Sequence, residues 1–249
     1  MKTSRITRAF SQALFPAIMT VVSLVLFIAI YGLELLTAIE PQYLKNLIFV
    51  LPAVCFAIVT YLTQKRWLKE LPSLIITSVL IGVLSCVMFI AFIISAFDAA
   101  TTTTTDVKRY ERALQLSSFS EDVLESYFPE KVPENAEEVY FYYRPAFLQG
   151  GEDLALKFKT TPEALEGYAQ KFSEMAEWVG KEGDPKADEH GVFGGTVDFF
   201  DRSYNWHYNA TVYVLSSRSY KPDDWNHGER YLVAIKEKNC EVLFLASRW

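Results

Sequence analysis

The residues best suited to chemistry in this 249-residue chain crowd into its second half. All three histidines, His190, His207 and His227, lie there, among Asp184, Asp188, Glu189, Asp198, Asp201, Asp223 and Asp224. Imidazole and carboxylate are ordinary zinc ligands, but no HExxH, H-x-H or EF-hand spacing organises them, so no metal is expected. Ser203, Ser216, Ser217 and Ser219 are plentiful, yet none sits in a G-x-S-x-G elbow, so no catalytic residue is assigned. The three cysteines, Cys55, Cys86 and Cys240, give no disulfide framework and no CxxC pair. Cys240 reads as a small apolar strand residue. No cofactor motif is present.

Aromatic spacing is more informative. Tyr204-Asn-Trp206-His207-Tyr208 and Tyr220-Lys-Pro-Asp223-Asp224-Trp225-Asn226-His227 place large rings beside planar hydrogen-bonding groups. A stacking face with fixed donors and acceptors is what a sugar or peptide ligand requires. Trp206, His207, Asp223, Asp224, Trp225, Asn226 and His227 are therefore the candidate ligand-binding residues. The competing reading is packing, because Tyr and Trp also favour strands and pair across them. Asn226-His-Gly228 also reads as a turn that needs positive φ.

These residues must be positioned by a chain that divides in two. Residues 1–100 carry a net charge of +3 and residues 101–249 a net of −9. The acidic half lacks the basic footprint of a nucleic-acid binder. Apolar runs at about 14–33, 47–62 and 74–97 are each read as a membrane span, since about 20 helical residues cross a 30 Å hydrocarbon layer. The second run is short, and Tyr43, Tyr61 and Trp67 complete it at the interfaces. The first is too long for a cleaved signal peptide and lacks an A-x-A site. Residues 1–100 are thus a membrane module whose first partner is the lipid bilayer. Glu34 and Asp98 border the spans, where an acid is usually solvated.

Lys2, Arg5 and Arg8 precede the first span, and Lys65, Arg66 and Lys69 join the second to the third. The positive-inside bias puts both segments in the cytoplasm and residues 101–249 on the far side.

Thr101–Thr105 suggests a short extended stalk over residues 101–106. Residues 107–249 read as one extracytoplasmic α+β domain, with helices on one face of a mostly antiparallel sheet. Asp106 caps a helix over Val107–Leu116, and Ser118-Phe-Ser-Glu121 forms a capping box for a helix ending near Phe128. Strands are expected at Glu138–Arg144 and, half-buried, over Leu154–Lys159, joined by Gln149-Gly-Gly151. A helix from Thr160 runs to about Val179. Further strands are expected near Thr196–Phe200, Tyr208–Ser216, Arg230–Glu237 and Cys240–Ser247, the last two joined at Lys238-Asn239.

Phe128-Pro-Glu-Lys-Val-Pro-Glu-Asn-Ala136, Val139-Tyr-Phe-Tyr-Tyr143, Pro145-Ala-Phe-Leu-Gln-Gly-Gly151 and Asn226-His-Gly228 together resemble a domain of uncharacterised membrane-anchored bacterial proteins. The resemblance covers roughly residues 119–249. It implies a bacterial source and an extracytoplasmic domain, and no activity. The chain departs from that pattern at Ala246-Ser-Arg-Trp249, where an acidic residue is expected before the tryptophan. The expected function is a membrane-anchored binding domain for a cell-envelope ligand or a membrane-protein partner. The alternatives are an accessory subunit of a membrane complex and an envelope hydrolase using His227 with Asp223 or Asp224.

Overall fold

The computed structural model describes residues 13–148, 151–181, 184, 209–218 and 228–248. It divides into two compact units, Met1–Ala99 and Ala100–Trp249, and its architecture is α+β.

In the first unit three segments are long and apolar enough to cross a membrane: Leu14–Thr37, Lys45–Gln64 and Glu70–Thr101. The first and third are the helices α1 and α3. The second opens as a 3-10 turn over Lys45–Val50 and continues as α2, Leu51–Gln64. Pro52 sits in the first turn of α2, where its missing N–H costs nothing. The acids at the span borders are not merely solvated. A Glu34 carboxylate oxygen accepts the Gln42 N–H at 2.6 Å, fixing the α1–α2 connection. Asp98 pairs with Lys45 at 2.8 Å.

The second unit is built on a six-stranded antiparallel sheet in the order β1-β2-β6-β5-β4-β3. The strands are β1 Glu137–Arg144, β2 Glu152–Lys159, β3 Trp178–Gly180, β4 Thr211–Arg218, β5 Glu229–Lys236 and β6 Glu241–Arg248. A bulge interrupts β1 between Glu137 and Tyr140, with Glu138 at φ 47°. Side chains alternate across the pleat. The register therefore puts Phe141, Leu156, Phe158, Phe244 and Val233 on one face, and Ala155, Leu243, Leu245, Leu232 and Val214 on the other.

Helices α4 (Tyr110–Leu116), α5 (Glu121–Tyr127) and α6 (Pro162–Met175) supply rings to the first face. Phe244 is the hub, with the Phe128, Phe158, Tyr168 and Phe172 centroids 5.6–5.9 Å away. Edge-to-face and offset rings at such separations add to the area they bury. The opposite face carries its own cluster of Ala155, Val212, Val214, Leu232, Ala234, Leu243 and Leu245, with Trp178 and, partly buried, Tyr142. Strand β2, expected to be half-buried, is buried on both faces from Glu152 through Phe158. Strands β5 and β6 are likewise buried on both faces over most of their length.

Several local expectations are corrected. Helix α6 stops at Met175 because Ala176 turns extended and the Glu177 N–H reaches the Val214 carbonyl at 2.8 Å. Sheet pairing thus captures Trp178 and Val179. The Trp178 ring folds against Gly180, where any Cβ would collide with it. Ser118 does not cap α5. Ser120 occupies the N-cap position, with no side-chain cap bond. Cys240 lies outside the strands, at φ 51°, closing the turn after Glu237–Asn239. Asp106 does cap its helix, accepting the Lys108 N–H at 3.0 Å. Among the five threonines, Thr101 ends α3 and Thr104 exchanges two 2.9 Å backbone bonds with Tyr143 on β1. The strand expected near Thr196–Phe200 lies outside the described residues.

Candidate functional site

Glu152 and Asp153 open β2 after the Gly150-Gly151 pair and, being neighbours in a strand, point to opposite faces. They are 1% and 3% exposed. A buried carboxylate must be fully engaged or it destabilises the fold. Glu152 accepts from the Ser118 N–H at 3.0 Å, from the Ser118 hydroxyl, from the Tyr143 hydroxyl at 2.8 Å and from the Arg248 guanidinium at 2.9 Å. Arg248 also donates to the Ser118 carbonyl at 3.1 Å and lies over the Phe119 ring at 5.4 Å. Burial, reinforced by the Glu152 charge, pushes the Tyr143 phenol far above its ordinary range, so it is a neutral donor.

On the other face Asp153 accepts from the Ser247 hydroxyl at 2.6 Å and pairs with Arg144. Arg230 is also buried on this face. Burial draws its guanidinium down, and Asp153 partly restores it.

Both acids are therefore bound within the fold and shielded from solvent. A general acid or base must reach the proton it transfers, and neither carboxylate is placed to do so. The pair braces one end of the sheet. Two adjacent acids followed directly by the apolar Leu154-Ala155-Leu156 were the sequence signal for this arrangement, and Glu152 and Asp153 were not among the expected site residues.

At the opposite end, Lys157 and Lys236 flank Glu241 at 3.7 and 3.8 Å. Lys157 also lies over the Tyr140 ring at 4.3 Å. Burial lowers the Lys157 ammonium below the usual lysine range, with Glu241 opposing.

Register locates the flanks of the candidate residues. Arg218 pairs with Glu229, and Glu229 with Arg248, which faces Glu152 across β6 and β2. The described flanks, Arg218 and Glu229, thus lie at the braced end, and Asp223, Asp224, Trp225, Asn226 and His227 fall between them in sequence. Gly228, immediately after His227, is buried. Trp206 and His207 instead precede Asn209, at the Thr211 end of β4 beside Ile235. Seven strand rises of about 3.4 Å separate the two ends, roughly 24 Å. Trp206, His207, Asp223, Asp224, Trp225, Asn226 and His227 all lie outside the described residues, as does His190.

Compared with protein-family models, curated proteins and solved structures, the chain matches none.

Proposed function

We propose that this protein is a membrane-anchored binding domain displayed outside the cytoplasm, taking a ligand at the connection between β4 and β5. One observation carries the reading: the ten residues 219–228 are held at both ends by a paired position, Arg218 with Glu229, on a sheet whose end is braced by buried acids and arginines. Connections between strands of a rigid frame are where proteins commonly place recognition. The segment between Arg218 and Glu229 includes Asp223, Asp224, Trp225, Asn226 and His227 in its sequence. The basic flanks of the first and second spans support a cytoplasmic N-terminus and an extracytoplasmic C-terminal domain. The resemblance to uncharacterised membrane-anchored bacterial proteins points the same way.

The test uses the full chain in lipid nanodiscs with purified peptidoglycan sacculi as the probe. Sedimentation with sacculi that falls about tenfold in Trp225→Ala and His227→Ala, without change in thermal stability, supports the proposal. Equal sedimentation of both variants with wild type removes this segment from the site. Protease added to intact spheroplasts should digest residues 101–249; protection until lysis overturns the sidedness.

A further inference from the structure

The membrane unit holds a gap at its centre. Only Ser73, Thr77 and Leu84 of α3 are buried. Polar contacts tie α3 to the rest of the unit near both its ends. Towards its start the Thr63 and Ser73 hydroxyls meet at 2.8 Å. Towards its end Ser95 donates to Asn46 at 2.8 Å, beside the Lys45–Asp98 pair. Between these ties the helices do not close. They leave a slot of about 170 Å³ whose walls include Val22, Ser23 and Leu26 of α1, Phe56 of α2, and Leu84 and Ser85 of α3.

The slot's dimensions and chemistry limit its occupant. Water needs two to four polar partners in a cavity, and the side chains lining this one are apolar except for Ser23 and Ser85. Left empty, the lining would forfeit its dispersion contacts. The slot runs along residues 19–30 of α1, about 16 Å at 1.5 Å per residue. That is close to half of a 30 Å hydrocarbon layer. Its rim is continuous with the apolar outer surface of the spans, since Val22 and Leu26 are 42% and 56% exposed.

We propose that this slot is an acyl-chain site: the tail of a membrane phospholipid lies between α3 and the α1–α2 pair, held open for it by the polar ties at either end. The occupant is flexible hydrocarbon, recognised by shape and apolarity, and its headgroup is not read by the slot. The site is independent of any ligand taken by the C-terminal domain.

The full chain is placed in phosphatidylcholine nanodiscs doped with phosphatidylcholine bearing a diazirine near the end of one acyl chain. After irradiation, adducts are mapped by mass spectrometry. Ser23 and Leu84 are each 8% exposed, whereas Val25 and Ile28, outside the slot lining, are 59% and 60% exposed. Labelling of Ser23 and Leu84 at least equal to that of Val25 and Ile28 supports an intercalated chain. Labelling about tenfold weaker overturns it, because surrounding lipid alone reaches the exposed pair. Ser85→Phe, which fills the slot, should reduce Leu84 labelling at least fivefold and leave Val25 unchanged; undiminished Leu84 labelling overturns the proposal. Ser23→Leu fills the slot from α1 and gives the same reading if Ser85→Phe fails to insert.

Discussion

The Tyr143 hydroxyl donates to the Glu152 carboxylate at 2.8 Å across the β1–β2 pair, with both side chains closed off from water. Glu152 also accepts from Ser118 and Arg248, so its removal would strand several donors at once. Removing one partner of a buried charged pair typically costs about 3–5 kcal/mol. Glu152→Ala should lose about 3 kcal/mol of domain stability, read as a lower midpoint in the near-UV circular dichroism of the detergent-solubilised chain. Glu152→Gln should lose nearly as much, because its amide nitrogen presents hydrogens to a site built of donors. A midpoint unchanged in both variants contradicts the bracing role.

Ser118 and Ser120 offer a sharper contrast. Ser118 binds Glu152 through both its N–H and its hydroxyl, whereas Ser120, at the α5 N-cap, makes no side-chain cap bond. Ser118→Ala should cost about 1.5–3 kcal/mol, the range for a hydrogen bond to a charged group. Ser120→Ala should cost under about 0.5 kcal/mol, below the usual loss of a working cap. Paired denaturation curves of the two variants decide the matter, and a reversed order would restore the capping role to Ser120.

Alkaline pH should unfold the domain abruptly. Burial raises the phenols of Tyr110, Tyr143, Tyr168 and Tyr213 in the folded state. Groups that hold their protons more tightly when folded stabilise the fold fully below their unfolded pKa, about 10 for tyrosine, and lose that contribution as pH rises beyond it. Lys157 has the opposite sign. Its lowered folded pKa makes its contribution grow as pH rises towards about 10.4, its unfolded value. Stability should therefore hold or rise up to about pH 10 and then fall. Tyrosinate absorbance at 295 nm and near-UV circular dichroism should change together; ionisation of these phenols in a still-folded domain contradicts the expectation.

The ring cluster around Phe244 should dominate core energetics. Phe244→Ala deletes a fully buried ring that meets four others and should cost about 3–5 kcal/mol. Val179, 41% exposed on β3, serves as the control. Val179→Ala should cost under about 1 kcal/mol, since an exposed side chain gives up little burial. Similar losses in the two variants, compared by chemical denaturation, would mean the cluster is not the centre of the core.

The architecture was legible where one physical signal acted alone. Long apolar runs set the three spans, because lipid imposes length and apolarity together. The alternation in β2 revealed a strand but understated its burial, since Lys157 reads as solvent-facing until Glu241 and Tyr140 are placed beside it. The expected end of α6 failed for the same kind of reason. Residues 176–179 carry a helical apolar spacing, and only the partner strand β4, more than thirty positions later, draws them away. Ser118 looked like a cap because its pattern is local, whereas Glu152 lies 34 residues on. The aromatic sets at 204–208 and 220–231 were conspicuous by composition, but composition does not say that their described flanks leave β4 from opposite ends.

The two margins of the described sheet have a further meaning for a chain whose three apolar helices are long enough to hold it in a membrane plane. Such a chain meets its own copies at far higher frequency than one in free solution, and an open strand is a template for pairing with the next molecule. One margin, β3, is only three residues long. The other, β1, is interrupted by the bulge at Glu137–Tyr140, carries two acids there, and is joined by Thr104 at Tyr143. Among the described residues, neither offers a long, flat, uncharged ladder. Crowding on the membrane should therefore leave these sheets as separate units, with no runaway polymerisation into fibrils.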